Sequence, residues 1–185
     1  DNATALTTYG EINTWDVSLI TNMQSLFDSR ATFNSDISNW NVSGVTNMHS
    51  MFNEAASFNG DLSGWDVSNV TTMYRTFRLA SSFNGNISTW EVSGNLNQMF
   101  QDAESFNSDI SSWDVSDVTR MNQMFNGATS FNQDLSNWNV SSVTTMTDMF
   151  NGADNFNSDI SNWNVSGVWN MHKMFYNSGS FNQDL

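Results

Sequence analysis

The string Phe33-Asn34-Ser35-Asp36-Ile37-Ser38-Asn39-Trp40-Asn41-Val42-Ser43 runs on into Gly44-Val45-Thr46-Asn47-Met48-His49-Ser50-Met51-Phe52. Lightly varied, it starts again 25 residues later at Phe58. It returns at Phe83, Phe106, Phe131 and Phe156, and begins once more at Phe181. A fixed period of roughly 20–50 residues marks a chain that stacks one small unit on the next, because a single unit cannot bury its own apolar face. Trp15-Asp16-Val17-Ser18 is the first clear copy, after a degenerate lead-in over 1–14 in which Ile12 stands where Ile37 stands. Tryptophans follow at 40, 65, 90, 113, 138 and 163. Only the step from Trp90 to Trp113 is short, by two residues, where Gly94-Asn95-Leu96 replaces the usual Val-Thr-x-Met. No linker interrupts the series, so residues 1–185 read as one repeat domain of about seven copies. The series stops at Leu185 inside an eighth copy with no polar capping unit, which predicts that this domain is part of a longer array.

The apolar period changes within each copy. Trp40 and Val42 are two apart, which puts both on one face of a short strand, with Ile37 just before. Val45, Met48, Met51/Phe52 and Ala55 follow at spacings of three and four, the face of a short helix or 3-10 segment. Ser43 or Thr46 is placed to cap its start, and Asn53, Gly127 and Gly152 stand at its exit, where a left-handed residue is often needed. The expected unit is therefore strand, tight turn, short helix and return loop. Stacking would set its Trp, Phe, Val and Met residues in continuous ladders, so the methionines read as core filler.

These motifs resemble the BspA-like bacterial surface protein repeat, also described as a domain of unknown function common in mycoplasma. Phe-Asn, Ile/Leu-Ser-x-Trp, Asn/Asp-Val-Ser and Met-Phe recur in register from about residue 12 to 185. The resemblance implies an α/β solenoid, a leucine-rich-repeat-like right-handed coil with a parallel sheet. It also implies a secreted or cell-surface location, and it brings no catalytic motif.

Charge narrows the partners. The formal charge is −14, with Arg30, Arg75, Arg78, Arg120 and Lys173 the only basic side chains. Such a surface repels phosphate backbones, so nucleic acid and anionic membranes are poor partners, while basic proteins, divalent cations and uncharged ligands suit it. No apolar run approaches the roughly 18 residues of a membrane span, and the first residues carry no signal-peptide pattern. With no cysteine, disulfides say nothing about compartment.

Several polar ranks recur. Asn34, Asn59, Asn84, Asn107, Asn132, Asn157 and Asn182 read as a structural asparagine ladder of buried amides. Asp36, Asp61, Asn86, Asp109, Asp134, Asp159 and Asp184 form a second rank, at about the 4.8 Å spacing of stacked strands. Calcium bridging is one way to hold carboxylates so close; bonds to backbone N–H groups or a serine hydroxyl are the favoured one, since no dense acidic loop occurs. The expectation is thus no cofactor. His49 and His172 lie five copies apart and cannot share a metal; both are expected on exposed helix positions. No copy gathers a serine, a base and an orienting group, so catalysis is not expected.

The candidate binding residues are two rows. Ser38, Ser63, Ser88, Ser111, Ser136 and Ser161 make one, and Thr46, Thr71, Thr119 and Thr144, headed by Thr21, make the other, with gaps at Asn95 and near Trp169. A further serine row runs through Ser18, Ser43, Ser68, Ser93, Ser116, Ser141 and Ser166. A flat, repetitive polar face of this kind suits adhesion to a protein or glycan. Ice binding through a regular Ser/Thr row is the alternative, and end-to-end self-association into filaments is the third reading. Asn-x-Ser/Thr sequences begin at Asn2, Asn41, Asn69, Asn86, Asn139 and Asn164, but strands crowded by their neighbours would be poor glycan acceptors.

Overall fold

The computed structural model describes residues 2–184. Leu185, read above as the strand start of an eighth copy, and the side chain of Asn2, one of the six sequons, lie outside the described residues. The chain opens with helix α1 (Asn2–Tyr9) and a 3-10 turn (Ile12–Thr14). The copies then stack in sequence order, each hydrogen-bonded to the copy before and after it.

The segment expected to be helical is not. Residues 49–54 form consecutive turns, as do their counterparts in the other copies. Their N–H groups alternate in direction. Those of Met48, Ser50, Phe52 and Glu54 donate to Thr72, Tyr74, Thr76 and Arg78 carbonyls of the next copy at 3.1, 2.9, 2.8 and 2.7 Å. Those of Met51, Asn53 and Ala55 donate back to Met48, Ser50 and Phe52 of their own copy at 3.1, 3.2 and 3.1 Å. A helix would turn its N–H groups, after the first turn, to carbonyls four residues back in the same segment. Here Ser50 and Glu54 take left-handed φ values of 54° and 58°, which turns alternate peptides toward the neighbouring copy. The same two positions are left-handed in Arg75 and Leu79, and in Gln98 and Asp102. The left-handed exit thus falls at Glu54 rather than Asn53, while Gly127 and Gly152 occupy it as expected.

The strand reading also moves. No strand forms at Trp40–Val42, where the Trp40 N–H turns back to the Ile37 carbonyl at 3.1 Å. Parallel bridges fall further on, linking Asn22 to Asn47, Asn47 to Thr72 and Thr72 to Asn95, and then Arg120 to Thr145 and Thr145 to Asn170. Between these two series lie β1 (Gly94–Asn95) and β2 (Val118–Arg120), paired parallel. Gly94 faces Val118 and Asn95 faces Arg120, so Thr119 is left over as a bulge. The two-residue shortening is absorbed there. Gly94 has φ 72°, and a Cβ on it would lie 2.9 Å from the Thr71 carbonyl, so no other residue fits without a shift.

The core is a set of columns. Within a copy Phe52 stacks on Phe58 at 4.1 Å; between copies Phe52 stacks on Phe77 at 5.4 Å and Phe58 on Phe83 at 5.8 Å. Indoles stack nearly parallel at 6.4 Å from Trp40 to Trp65 to Trp90, and again from Trp113 to Trp138 to Trp163. Among the described residues no ring contact joins Trp90 to Trp113, the step that spans the shortened copy. Each buried indole still finds a partner: Trp65 Nε1 donates to the Ile37 carbonyl at 3.2 Å, and Trp113 Nε1 to that of Ile87 at 3.0 Å. Met48, Val45 and Ala55 fill the remaining space, fully buried.

Candidate functional site

The first serine row is half-buried, apart from exposed Ser161, and is committed to a turn. Asp36, Asp61, Asp109, Asp134 and Asp159 each accept the backbone N–H of the serine two residues on through Oδ1, all at 2.9 Å. Asn86 does the same for Ser88 at 3.0 Å. This is the Asx turn, in which a short side-chain oxygen replaces a backbone carbonyl. It holds the exposed carboxylates of the Asp rank in one rotamer, copy after copy. These bonds to serine stabilise the charged form and keep the carboxyls of Asp36, Asp109, Asp134 and Asp159 below their ordinary value. Asp109 and Asp159 push Asp134 weakly the other way, so neighbouring carboxylates of the rank feel each other.

The second serine row repeats the device just past each tryptophan. Asp16, Asn41, Asp66, Asp114, Asn139 and Asn164 accept the N–H of Ser18, Ser43, Ser68, Ser116, Ser141 and Ser166 at 2.9–3.2 Å. Glu91 is the exception. Its extra methylene makes the ring too large for the turn, and Ser93 instead donates its hydroxyl to the Val70 carbonyl at 3.4 Å.

The threonine row lies on the bridged segment. Thr46, Thr71, Thr119 and Thr144 are exposed. Three of the hydroxyls are engaged: Thr46, Thr71 and Thr144 Oγ1 each donate to the carbonyl of the preceding threonine at 3.2 Å. The bridge register puts Gly94, not Asn95, in the gap of this row. The serine and threonine rows are therefore separate strips and do not converge on one point.

The asparagine ladder forms as expected but at the surface. Asn34 Oδ1 accepts the Asn59 N–H at 2.9 Å, Asn59 accepts from Asn84 at 2.7 Å, and the chain of bonds continues to Asn182. Most of these asparagines are exposed. His49 is half-buried beside the Tyr74 ring at 5.0 Å, and His172 is exposed; neither is on a helix. Among the described residues no group of three or more His, Cys, Asp or Glu side chains comes together to hold a metal ion, and no helix is long and apolar enough to cross a membrane.

One feature of the surface was missed in the residue ranks. A groove of about 500 Å³ opens beside the shortened copy, lined by Thr89, Glu91, Ser112, Asp114, Ser116 and Asp117 among others. The missing two residues and the Glu at the position after Trp90 were its signals in the sequence. A larger hollow of about 780 Å³ lies at the first copy, between α1 and the side chains of Leu26, Phe27 and Phe33.

No curated protein matches the chain. A family of repeats matches it twice, over residues 1–95 and 94–185, and its description reads "Mycoplasma protein of unknown function, DUF285". With Phe-Asn, Trp and Met-Phe recurring through both matched halves, the chain belongs to this family.

Proposed function

We propose that the chain is a solenoid of the BspA-like, leucine-rich-repeat-like kind and serves as a non-enzymatic binding module, secreted or at a cell surface. Its partner is a basic or cation-bridged protein or glycan surface. The observation that carries the reading is the rank of exposed carboxylates, Asp36, Asp61, Asp109, Asp134 and Asp159, each fixed by the same bond to a serine N–H. Side chains already held in one rotamer lose less entropy when a ligand arrives. Many weak, identical contacts then add along the array, and the net charge of −14 steers a basic partner toward it.

The test uses neutral replacements that keep the turn, because Asn86 makes the same bond natively. Asp109→Asn, Asp134→Asn and Asp159→Asn, singly and together, should weaken binding to an immobilised lysine-rich peptide step by step, and added salt should weaken it further. Unchanged binding by the triple variant would sink the reading. Ice binding remains the second reading, on the observation that Thr46, Thr71, Thr119 and Thr144 are all exposed, three of them with the hydroxyl held by the same bond to the copy before. Faceted crystal growth in a cooled drop, abolished by Thr119→Tyr and untouched by Ser111→Tyr, would favour it over adhesion. Growth of scattering particles with concentration would favour end-to-end association.

A further inference from the structure

Asn41, Asn86, Asn139 and Asn164 each begin an Asn-x-Ser sequence. The sequence reading puts them on crowded strands; the structure puts them on exposed turns. In all four, Oδ1 accepts both the N–H and the hydroxyl of the serine two residues on, the latter at 2.7, 2.8, 2.7 and 2.8 Å. The turn uses the oxygen alone. The amide nitrogen of each of these four side chains has no protein partner among the described residues. Asn69, which begins Asn-Val-Thr, is built differently: its Nδ2 donates to the Ser43 carbonyl at 2.9 Å.

We propose that Asn41, Asn86, Asn139 and Asn164 are acceptors for an N-linked oligosaccharide. The inference takes only the extracellular route from the function proposed above, not the acidic ligand face. The donor is a polyprenyl-diphosphate-linked oligosaccharide. Nδ2 attacks its anomeric carbon, the new N–C1 bond forms as the C1–O bond to the diphosphate breaks, the diphosphate leaves with the bonding pair, and the Nδ2 proton passes to the transferase base. The product amide keeps Oδ1 and one N–H, so the turn that holds Ser43, Ser88, Ser141 and Ser166 survives the modification. On the rank that follows each tryptophan, the sequons sit at Asn41, Asn139 and Asn164, while the copies between them carry Asp66, Glu91 and Asp114. Glycans on this rank would flank its acidic stretch, while the fourth acceptor, Asn86, stands between Asp61 and Asp109 in the other acidic rank, and a glycan there would divide that rank in two.

The test is the full chain, led by a signal sequence, exported from a yeast host and also translated into endoplasmic-reticulum microsomes. Glycopeptide mass spectrometry reads the sites, and Ser43→Ala, Ser88→Ala, Ser141→Ala and Ser166→Ala each remove one sequon while leaving the backbone N–H of the turn. Glycans on three or four of the four asparagines support the inference, with one lost per serine variant and an unchanged melting temperature after enzymatic removal. Two or fewer occupied, or a glycan confined to Asn69, overturns it; the protease-protected microsomal chain gives the same reading if export fails. The lysine-rich peptide binding described above is measured on chain from a bacterial host, so either idea can fall without the other.

Discussion

At the scale of single residues, the Asx bond is the unit of design, and it separates oxygen chemistry from charge. Asp109→Ala removes the acceptor for the Ser111 N–H and should cost about 0.5–1 kcal/mol, in the range of an exposed helix cap. Asp109→Asn should cost much less in urea unfolding at neutral pH; equal losses for the two variants would show that charge, not the turn, is what matters. The serine bonds hold the folded pKa of this carboxyl below that of the unfolded chain. Its contribution is therefore complete above the unfolded value, near 4, and is lost as pH falls through the folded one. Asp102 behaves in the opposite way. Burial pushes its pKa up, Arg78 pulls it down and Glu104 adds to the rise. Stability is then greatest below the unfolded pKa and declines as pH rises through the folded one. Asp102→Asn should raise the urea midpoint at pH 7 and leave it unchanged near pH 3, where both side chains are neutral. A gap at acid pH, or a loss at neutral pH, would contradict this.

At the scale of the element, what is repeated is a column and not a helix or strand. Trp113 is 3% exposed, its indole N–H is bonded to the Ile87 carbonyl, and it stacks on Trp138 and meets the tilted Phe100 ring at 6.2 Å, while the indole column breaks on its other side. Trp113→Ala should still cost about 3–5 kcal/mol, as large buried aromatics do. Trp113→Phe should cost part of that, since a ring remains but the Ile87 carbonyl loses its donor. A loss under half a kilocalorie for the alanine variant, read from denaturant unfolding, would mean that this column is not the core.

At the scale of the whole molecule, hydrogen bonds and ring contacts among the described residues run within a copy or to its neighbours, so stability should behave as a sum over copies and interfaces. Deleting residues 131–155 removes one copy and joins Ser130 to Phe156, which keeps the Phe column in step. The shortened chain should still unfold cooperatively, with an m-value lower by about a seventh, because m follows the surface exposed on unfolding. Deleting only 131–142 puts Phe150 and its neighbours out of step with the copies before them, and should abolish cooperative unfolding. Similar behaviour of the two deletions would argue against a register-bound stack.

The sequence by itself determined the repeat, its single short copy at Trp90–Trp113, the membership of the Phe, Trp, Val and Met columns, and the asparagine ladder. All of these follow from identity recurring at a fixed period, and a period survives translation into any stacked structure. It did not determine what the backbone does between the column positions. Val45, Met48, Met51 and Phe52 have helical spacing, yet Ser50 and Glu54 are left-handed, because an N–H aimed at the next copy satisfies a donor that a helix would keep for itself. Residue types do not announce that choice, since serine, glutamate, arginine, leucine and glycine all take it. Likewise bonds from the Asp rank to backbone N–H groups or a serine hydroxyl are the favoured reading of the sequence and are found, but only the structure names the donors as the Ser38 and Ser111 N–H groups, members of the row also read as a binding face. The bridged segment around Thr46 and Asn47 carries no strong strand signal, and its partner lies a full copy away. Only when the copies are stacked does it become clear which hydrogen bonds run along the chain and which run across it, and that division decides which side chains are left to face a ligand.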